Sequence, residues 1–365
     1  MTKAQQPDGC PPSAPVTLVD VASLAGVSTS AVSRTFTPGA SVAEKTRARV
    51  LEAAQQLGYR PNAIARTLST RKSRIIAVVV SYLQNQFYPT IIEKLSQSLQ
   101  AHGYHILLFI SDDATATDSD SLLLDILQYQ VDGIVLASTM LSSRLAAHCH
   151  AANIPVVLFN RVAVVQEVST VVSDNEEGGR LAAQLLVKTG ARRIGFIAGL
   201  EDSSTSQERE RGFVEELQRQ GQTLFARETG QYDFALAAAA TRRMFHKPEK
   251  PDALFVGNDH MAFAVLDTVR NEFGLAVPDD VQVIGFDNVP QSAWGGYQLT
   301  TIEQNADLMT QATVSILLER ISSGLSMGAG HVKTPVAMVH RATTLHQLET
   351  DASATKQDQI KGQRK

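Results

Sequence analysis

The sequence predicts a small all-α head followed by an α/β body of two doubly wound parallel-sheet subdomains, and three features carry that reading. Between Leu18 and Phe36 apolar residues recur at helical spacing (Val19, Ala22, Ala25, then Val32 and Phe36), with Gly26 as an interruption. That is the pattern of two short helices around a tight turn. From Ile75 onward short continuous apolar runs alternate with helical stretches, the mark of parallel strands covered on both faces. The charge also divides: residues 1 to 74 hold ten Lys/Arg against four Asp/Glu, a surplus of +6, so the remainder of a chain of net charge -4 carries -10. A basic head on an acidic body points to an anionic partner for the head alone.

In the head, Ser28 stands where an N-cap would start a second helix over Thr29 to Phe36, its hydroxyl meeting backbone N–H groups that have no helical partner. A third helix is expected over Ala43 to Leu57, stopped by Gly58-Tyr59-Arg60-Pro61-Asn62, and a short segment Ala63 to Ser69 follows with Ile64 and Leu68 four apart. In the body the strand-length runs are Ile75 to Val80, His105 to Ile110, Gly133 to Ala137, Val156 to Phe159, Arg193 to Ala198, Ala253 to Val256 and Val281 to Phe286. About seven such units exceed one five- or six-stranded sheet, hence two subdomains with a cleft between them.

The expected boundaries are a disordered leader over 1–15, the head over 16–60, a linking helix over 61–74, the body over 75–346 and a disordered tail over 347–365. Within the body, one subdomain is expected to take about 75–174 and 304–335, and the other about 175–303 and 336–346. Composition excludes several classes. Cys10 and Cys149 are too few for a disulfide framework or a Cys-rich zinc site. The Pro-rich leader lacks the apolar core of a signal peptide, and no run approaches a membrane span. A cytoplasmic protein is expected. A Gly-rich phosphate loop, a metal-spaced His pair and a Gly-x-Ser-x-Gly elbow are all missing, so neither enzymatic activity, a cofactor nor a metal is expected.

The run from Val16 to Arg34 resembles the helix-turn-helix that opens LacI/GalR-family repressors, through Asp20-Val21-Ala22, the Ala25-Gly26-Val27-Ser28 turn and Ala31-Val32-Ser33-Arg34. The likeness continues through Thr46-Arg47 to Gly58-Tyr59-Arg60-Pro61-Asn62 and then over essentially the whole body, whose subdomains it likens to periplasmic binding proteins. It implies a transcriptional repressor acting as a homodimer on double-stranded palindromic operator DNA, under the control of a small-molecule effector, a sugar or sugar derivative, with nucleosides and purines open. The DNA-binding residues it implies are Thr17, Ser28, Thr29, Ser30, Ser33, Arg34, Asn62, Ala65 and Leu68. Thr29 and Ser30 are short enough to reach base edges, and Arg34 can pair with guanine or a phosphate. Leu68 is implied as a minor-groove wedge in a hinge helix, the alternative being packing against the head or body.

Open α/β sheets bind ligands at the carboxyl ends of their strands, and the residues there are chemically coherent: Asn85-Gln86-Phe87-Tyr88, Asn160-Arg161, Gly257-Asn258-Asp259 and Asp287. Carboxylate, amide and guanidinium groups bridge adjacent hydroxyls while rings cover C–H faces. By resemblance Arg209 and Asp287 match the family's effector-binding Arg and Asp, Tyr232 aligns with a flanking aromatic, and Asn160 stands where several relatives have Asp. The expected effector set is Phe87, Tyr88, Asn160, Arg209, Tyr232, Asn258 and Asp287. Alternatives are open: Asp174 and Asp287 as helix caps or turn residues, Arg209 as part of a solvated ion-paired face in Glu208-Arg-Glu-Arg211, and Trp294 as a packing residue. A transport-type sugar-binding protein is the rival reading; the basic head and the leader composition count against it.

Overall fold

A computed structural model describes residues 16–37, 39–60, 72–81, 83–111, 122, 124–137, 143–162, 168–324 and 328–345. The chain divides after Ser73 into two compact units. The leader, the tail and the segment holding Asn62, Ala65 and Leu68 lie outside the described residues.

The head is three helices, α1 (Leu18–Ala25), α2 (Thr29–Thr35) and α3 (Glu44–Leu57). Thr17 and Asp20 form a reciprocal capping box at the start of α1. Gly26 ends that helix in the left-handed conformation (φ 60°), and a Cβ there would meet the Arg49 side chain, which donates to the Gly26 carbonyl. Ser28 caps α2 as expected, its Oγ accepting from the Ala31 N–H at 3.2 Å. Val21, Ala22, Ala25, Val32, Val50, Ala53 and Ala54 close the core between the three helices.

The body holds two six-stranded sheets. The first has the order β11-β5-β4-β3-β1-β2, from β1 (Ile75–Val80), β2 (His105–Ile110), β3 (Gly133–Ala137), β4 (Val156–Phe159), β5 (Ser169–Ser173) and β11 (His331–Thr334). The second has the order β12-β10-β9-β8-β6-β7, from β6 (Ile194–Ala198), β7 (Ala226–Thr229), β8 (Ala253–Val256), β9 (Gln282–Asp287), β10 (Thr300–Gln304) and β12 (Val336–Val339). All seven apolar runs form strands, displaced by one residue at β6 and β9. Five further strands, β5, β7, β10, β11 and β12, lie outside those seven runs: the first four carry polar residues, while β12, an apolar run as short as β4, pairs antiparallel to β10.

Helices α4 (Phe87–Ala101), α5 (Ser143–Ala151) and α10 (Ala306–Ser323) belong with the first sheet, and α6 (Asn175–Lys188), α7 (Ser204–Arg219), α8 (Phe234–Phe245) and α9 (Asp259–Asp267) with the second. The chain passes between the sheets at 173–175, 304–306 and 334–336. These passages are neighbours: Ser173 registers with Thr334, Gln304 with Val336, and Ser173 Oγ donates to Gln304 at 2.8 Å. No helix among the described residues is long and apolar enough to cross a membrane.

Asp259, the first residue of α9, is fully buried and ties three elements of the second sheet together. It accepts from Thr301 Oγ1 of β10 and from the Val289 N–H just after β9, and its Oδ1 occupies the space a Cβ on Gly285 would need. Burial, with Asp287 nearby, pushes its carboxyl up to about 7. Because the folded-state value lies above the unfolded one, its contribution to stability is complete below about pH 4 and is lost as pH rises through 7. Asp259→Asn keeps an acceptor for the Val289 N–H and turns its amide N–H to the Thr301 hydroxyl, which then accepts, without the titration, so the fall in unfolding free energy of the body between pH 4 and 7 should flatten by roughly 1–3 kcal/mol. Urea melts at several pH values read this; an unchanged pH slope would mean Asp259 titrates normally.

Candidate functional site

Side chains from both sheets meet at the carboxyl ends of the strands around a narrow cavity of about 20 Å³. The first sheet contributes Asn85, in the loop between β1 and α4, Tyr88, in the first turn of α4, and Asn160, which follows β4. The second contributes Thr205 and Arg209 on α7, Tyr232 after β7, Asn258 after β8 and Asp287 at the end of β9. Six of the seven expected effector residues are thus brought together. Phe87 is the exception: it points into the core, with ring centroids 5.6 Å from Tyr88 and 6.3 Å from Phe159. One residue apart on a helix, Phe87 and Tyr88 cannot face the same way, and Tyr88 takes the cavity.

Arg209 is not on a solvated face but is 2% exposed. Its Nε donates to Asn175 Oδ1 at 3.0 Å, its Nη1 donates to the Gly257 carbonyl at 2.6 Å, and its guanidinium lies 3.5 Å from the Phe286 ring centroid. Helix α7 can carry it there because α6 and α7 touch backbone to backbone: a Cβ on Gly179 would sit 2.1 Å from the Arg209 carbonyl oxygen, and one on Gly212 2.0 Å from that of Glu176. Asp287, equally buried, lies 3.8 Å from Arg209 Nη1. It accepts from Gln304 Nε2 at 2.6 Å and from Asn85 Nδ2 at 3.2 Å. Burial outweighs the nearby Arg209 charge and pushes its carboxyl up to about 6.

Asn160 and Asn258 are buried with part of their hydrogen-bonding capacity unspent. Asn258 caps α9, its Oδ1 accepting from the Met261 N–H at 2.9 Å, while its Nδ2 has no partner; nor has Asn160 Oδ1. Tyr232 lies flat on Gly199, where any Cβ would enter its ring, and its hydroxyl meets Thr205 Oγ1 at 3.2 Å. The backbone is left-handed at Asn160 (φ 59°), Tyr232 (φ 59°), Asp287 (φ 125°) and Asn288 (φ 55°). Positive φ at a bulky residue is costly and persists where the surroundings over-determine it; here Asn160, Tyr232 and Asp287 line the cavity, while Asn288 bonds Glu303 and Arg341 instead.

Asp174 is a cap, accepting from the Glu177 N–H at 3.2 Å at the start of α6. Trp294 is 57% exposed and does not line the cavity. Thr205 is a lining residue that sequence reasoning missed. The available signal was its place one helical turn before Arg209, hidden in a Ser/Thr run that reads as a cap. Asn85 was visible at a strand end, but Gln304 and Asn175, which hold Asp287 and Arg209, were not. Among the described residues no group of three His, Cys, Asp or Glu is placed to hold a metal ion.

In the head, Thr29, Ser30, Ser33 and Arg34 are exposed together on one face of α2 while Val32 and Thr35 turn inward. Arg34 lies along that face with its Nε donating to the Ser30 carbonyl at 3.3 Å. Thr17 and Ser28 are exposed as well, but their hydroxyl oxygens serve the first turns of α1 and α2.

A family model for bacterial regulatory proteins of the lacI family matches residues 17–62, and one for a periplasmic binding protein-like domain matches residues 183–344. The HTH-type transcriptional repressor PurR of Aliivibrio salmonicida (strain LFI1238) is 33% identical over 312 residues, spanning 84% of this chain and 92% of that protein. Catabolite control protein A of Priestia megaterium is 33% identical over 294 residues, 79% and 87% of the two chains. Among solved structures, the lac repressor dimer bound to operator and the anti-inducer ONPF superposes with a TM-score of 0.82 at 28% identity, over 91% of this chain and 100% of that one. With a helix-turn-helix head, a body of two parallel-sheet halves around a polar cleft, and relatives matched over nearly their full length, this chain belongs to the lacI family of bacterial regulatory proteins.

Proposed function

We propose that the chain is a cytoplasmic transcriptional repressor that binds palindromic operator DNA as a homodimer and is controlled by a small polyhydroxylated effector held in the body's cleft. The observation that carries the DNA-binding half is the exposed polar face of α2, where Thr29, Ser30, Ser33 and Arg34 stand clear of a fully packed three-helix core. Short hydroxyl side chains with one guanidinium suit the major groove, where each base pair presents its own donor and acceptor pattern. Thr17 and Ser28 contribute as caps that orient the helices, with backbone contact to phosphates. The segment 61–74 is assigned as the hinge, with Asn62, Ala65 and Leu68 as its DNA contacts, and 75–346 as the effector and dimerisation domain.

The effector half rests on the cleft's chemistry. Arg209 and Asp287 offer charge-assisted hydrogen bonds, Asn160 Oδ1 and Asn258 Nδ2 an unspent acceptor and donor, and Tyr88 and Tyr232 aromatic rings. Such a set suits adjacent hydroxyls on a small ring. A structural neighbour at 29% identity and a TM-score of 0.68, the regulator CelR, is in complex with cellobiose. The PurR relative is named a transcriptional repressor, which supports the cleft as a sensor.

Two substitutions separate the halves. With an operator obtained by selection from random duplex DNA, Arg34→Ala should weaken binding by about tenfold or more, as loss of a groove contact worth about 1–3 kcal/mol requires, with effector binding intact. An unchanged gel-shift midpoint would remove Arg34 from the interface. Asp287→Ala should bind operator normally yet lose its response to the compound that stabilises the wild type in a thermal-shift screen of sugars and nucleosides. A tenfold change in operator affinity needs only about 1.4 kcal/mol of coupling, and one charge-assisted hydrogen bond commonly supplies that. A mutant responding at the wild-type effector concentration would overturn the role of Asp287.

A further inference from the structure

The loop between β1 and α4 reaches across the cleft. Asn85 stands in that loop, belongs with the first sheet, and donates from Nδ2 to Asp287 Oδ2 of the second sheet at 3.2 Å, across 202 positions of chain. Both side chains are more than nine-tenths buried. The amide is not free to turn, because Asn85 Oδ1 accepts from the Phe87 N–H at 3.1 Å and so fixes which edge faces Asp287. The other oxygen of Asp287 is met from its own side of the cleft, by Gln304 Nε2 at 2.6 Å and by Arg209 Nη1 at 3.8 Å. At Oδ2, then, a neutral N–H donor from the opposite half takes a direction from which an incoming hydroxyl could bind.

We propose that Asn85 competes with the effector for Asp287: it latches the two halves of the body across the cleft, and an effector binds by supplying a hydroxyl or N–H donor in its stead. The latch itself follows from the Asn85–Asp287 geometry, and its displacement by an effector rests on the reading of the cleft given above. The local alternative is that Asn85 merely starts α4. That accounts for Oδ1 on the Phe87 N–H and leaves Nδ2 unexplained, since nothing in starting a helix aims the amide at a carboxylate on the other sheet. A second and exposed contact, the Val162 N–H to Ser204 Oγ at 3.3 Å, crosses the cleft at the rim. Exposed bonds of that kind contribute little, so the buried pair carries the connection. Affinity follows from the same competition, because a ligand that must first break an internal bond has its apparent affinity reduced by the fraction of molecules in which the bond is already broken.

The test uses the full chain with neither DNA nor effector, so its outcome does not depend on whether the cleft is an effector site. Amide hydrogen exchange read by mass spectrometry is compared for wild type, Asn85→Asp and Asn85→Ala in two segments, 83–91 and 284–292. Asn85→Asp keeps the acceptor for the Phe87 N–H, removes the donor and sets a second carboxylate against Asp287. It should leave the start of α4 near wild-type rates while speeding exchange over 284–292 several-fold at pH 8. Asn85→Ala should loosen both segments. In the reverse direction Asp287→Ala should speed exchange over 83–91. Rates over 44–57 in the head serve as the check that each variant is folded. Wild-type exchange over 284–292 in Asn85→Asp, or loosening confined to 83–91 in Asn85→Ala, would overturn the latch and leave Asn85 a local cap.

Discussion

A guanidinium held at 2% exposure is the constraint around which the body is arranged. Removing a charge from water costs several kcal/mol unless its hydrogen-bonding directions are met and an opposite charge lies near. Arg209 meets that condition with the Asn175 amide, the Gly257 carbonyl, the Phe286 ring and the Asp287 carboxylate. The four partners come from three parts of the second half. Asn175 opens α6, Gly257 follows β8, and Phe286 and Asp287 end β9. The close glycine contacts between α6 and α7 serve the same arrangement, because a wider separation would withdraw Arg209 from all four. Burial holds the Asp287 carboxyl up at about 6 despite the arginine.

Much of the fold is readable in the sequence for an identifiable reason. Six of the seven strands, all but the edge strand β2, are buried along both faces and need uninterrupted apolar runs, and such runs mark all seven to within a residue. The strands that escape notice are of other kinds. β7 (Ala-Arg-Glu-Thr) and β11 (His-Val-Lys-Thr) lie at sheet edges, and β10 (Thr-Thr-Ile-Glu-Gln) puts polar side chains between β9 and β12. Their pairing is set by neighbours distant in sequence, which no local pattern reports. The head is legible almost to the residue because caps are local: Ser28 and Gly26 act on backbone groups within a few positions of themselves.

The site divides in the same way. Residues at the ends of apolar strands, Asn160, Asn258 and Asp287, are found by the rule that ligands sit at carboxyl ends, and Arg209 and Tyr232 by resemblance. Phe87 fails because helix phase, which separates it from Tyr88, is decided by packing against Phe159. Thr205, Asn175 and Gln304 fail because their importance comes entirely from what they touch. Support for a binding residue has no signature of its own when the supporting group lies on another strand.

The three neighbouring passages between the sheets have a mechanical meaning. Three chain segments joined side by side by strand pairing and by the Ser173–Gln304 bond resist sliding and twisting of the halves far more than bending about a line through them. The body therefore has one easy motion, and its axis is set by backbone rather than by anything in the cleft. Side chains around the cavity can be exchanged without altering those three segments, so the lining can vary while the axis stays where the backbone puts it.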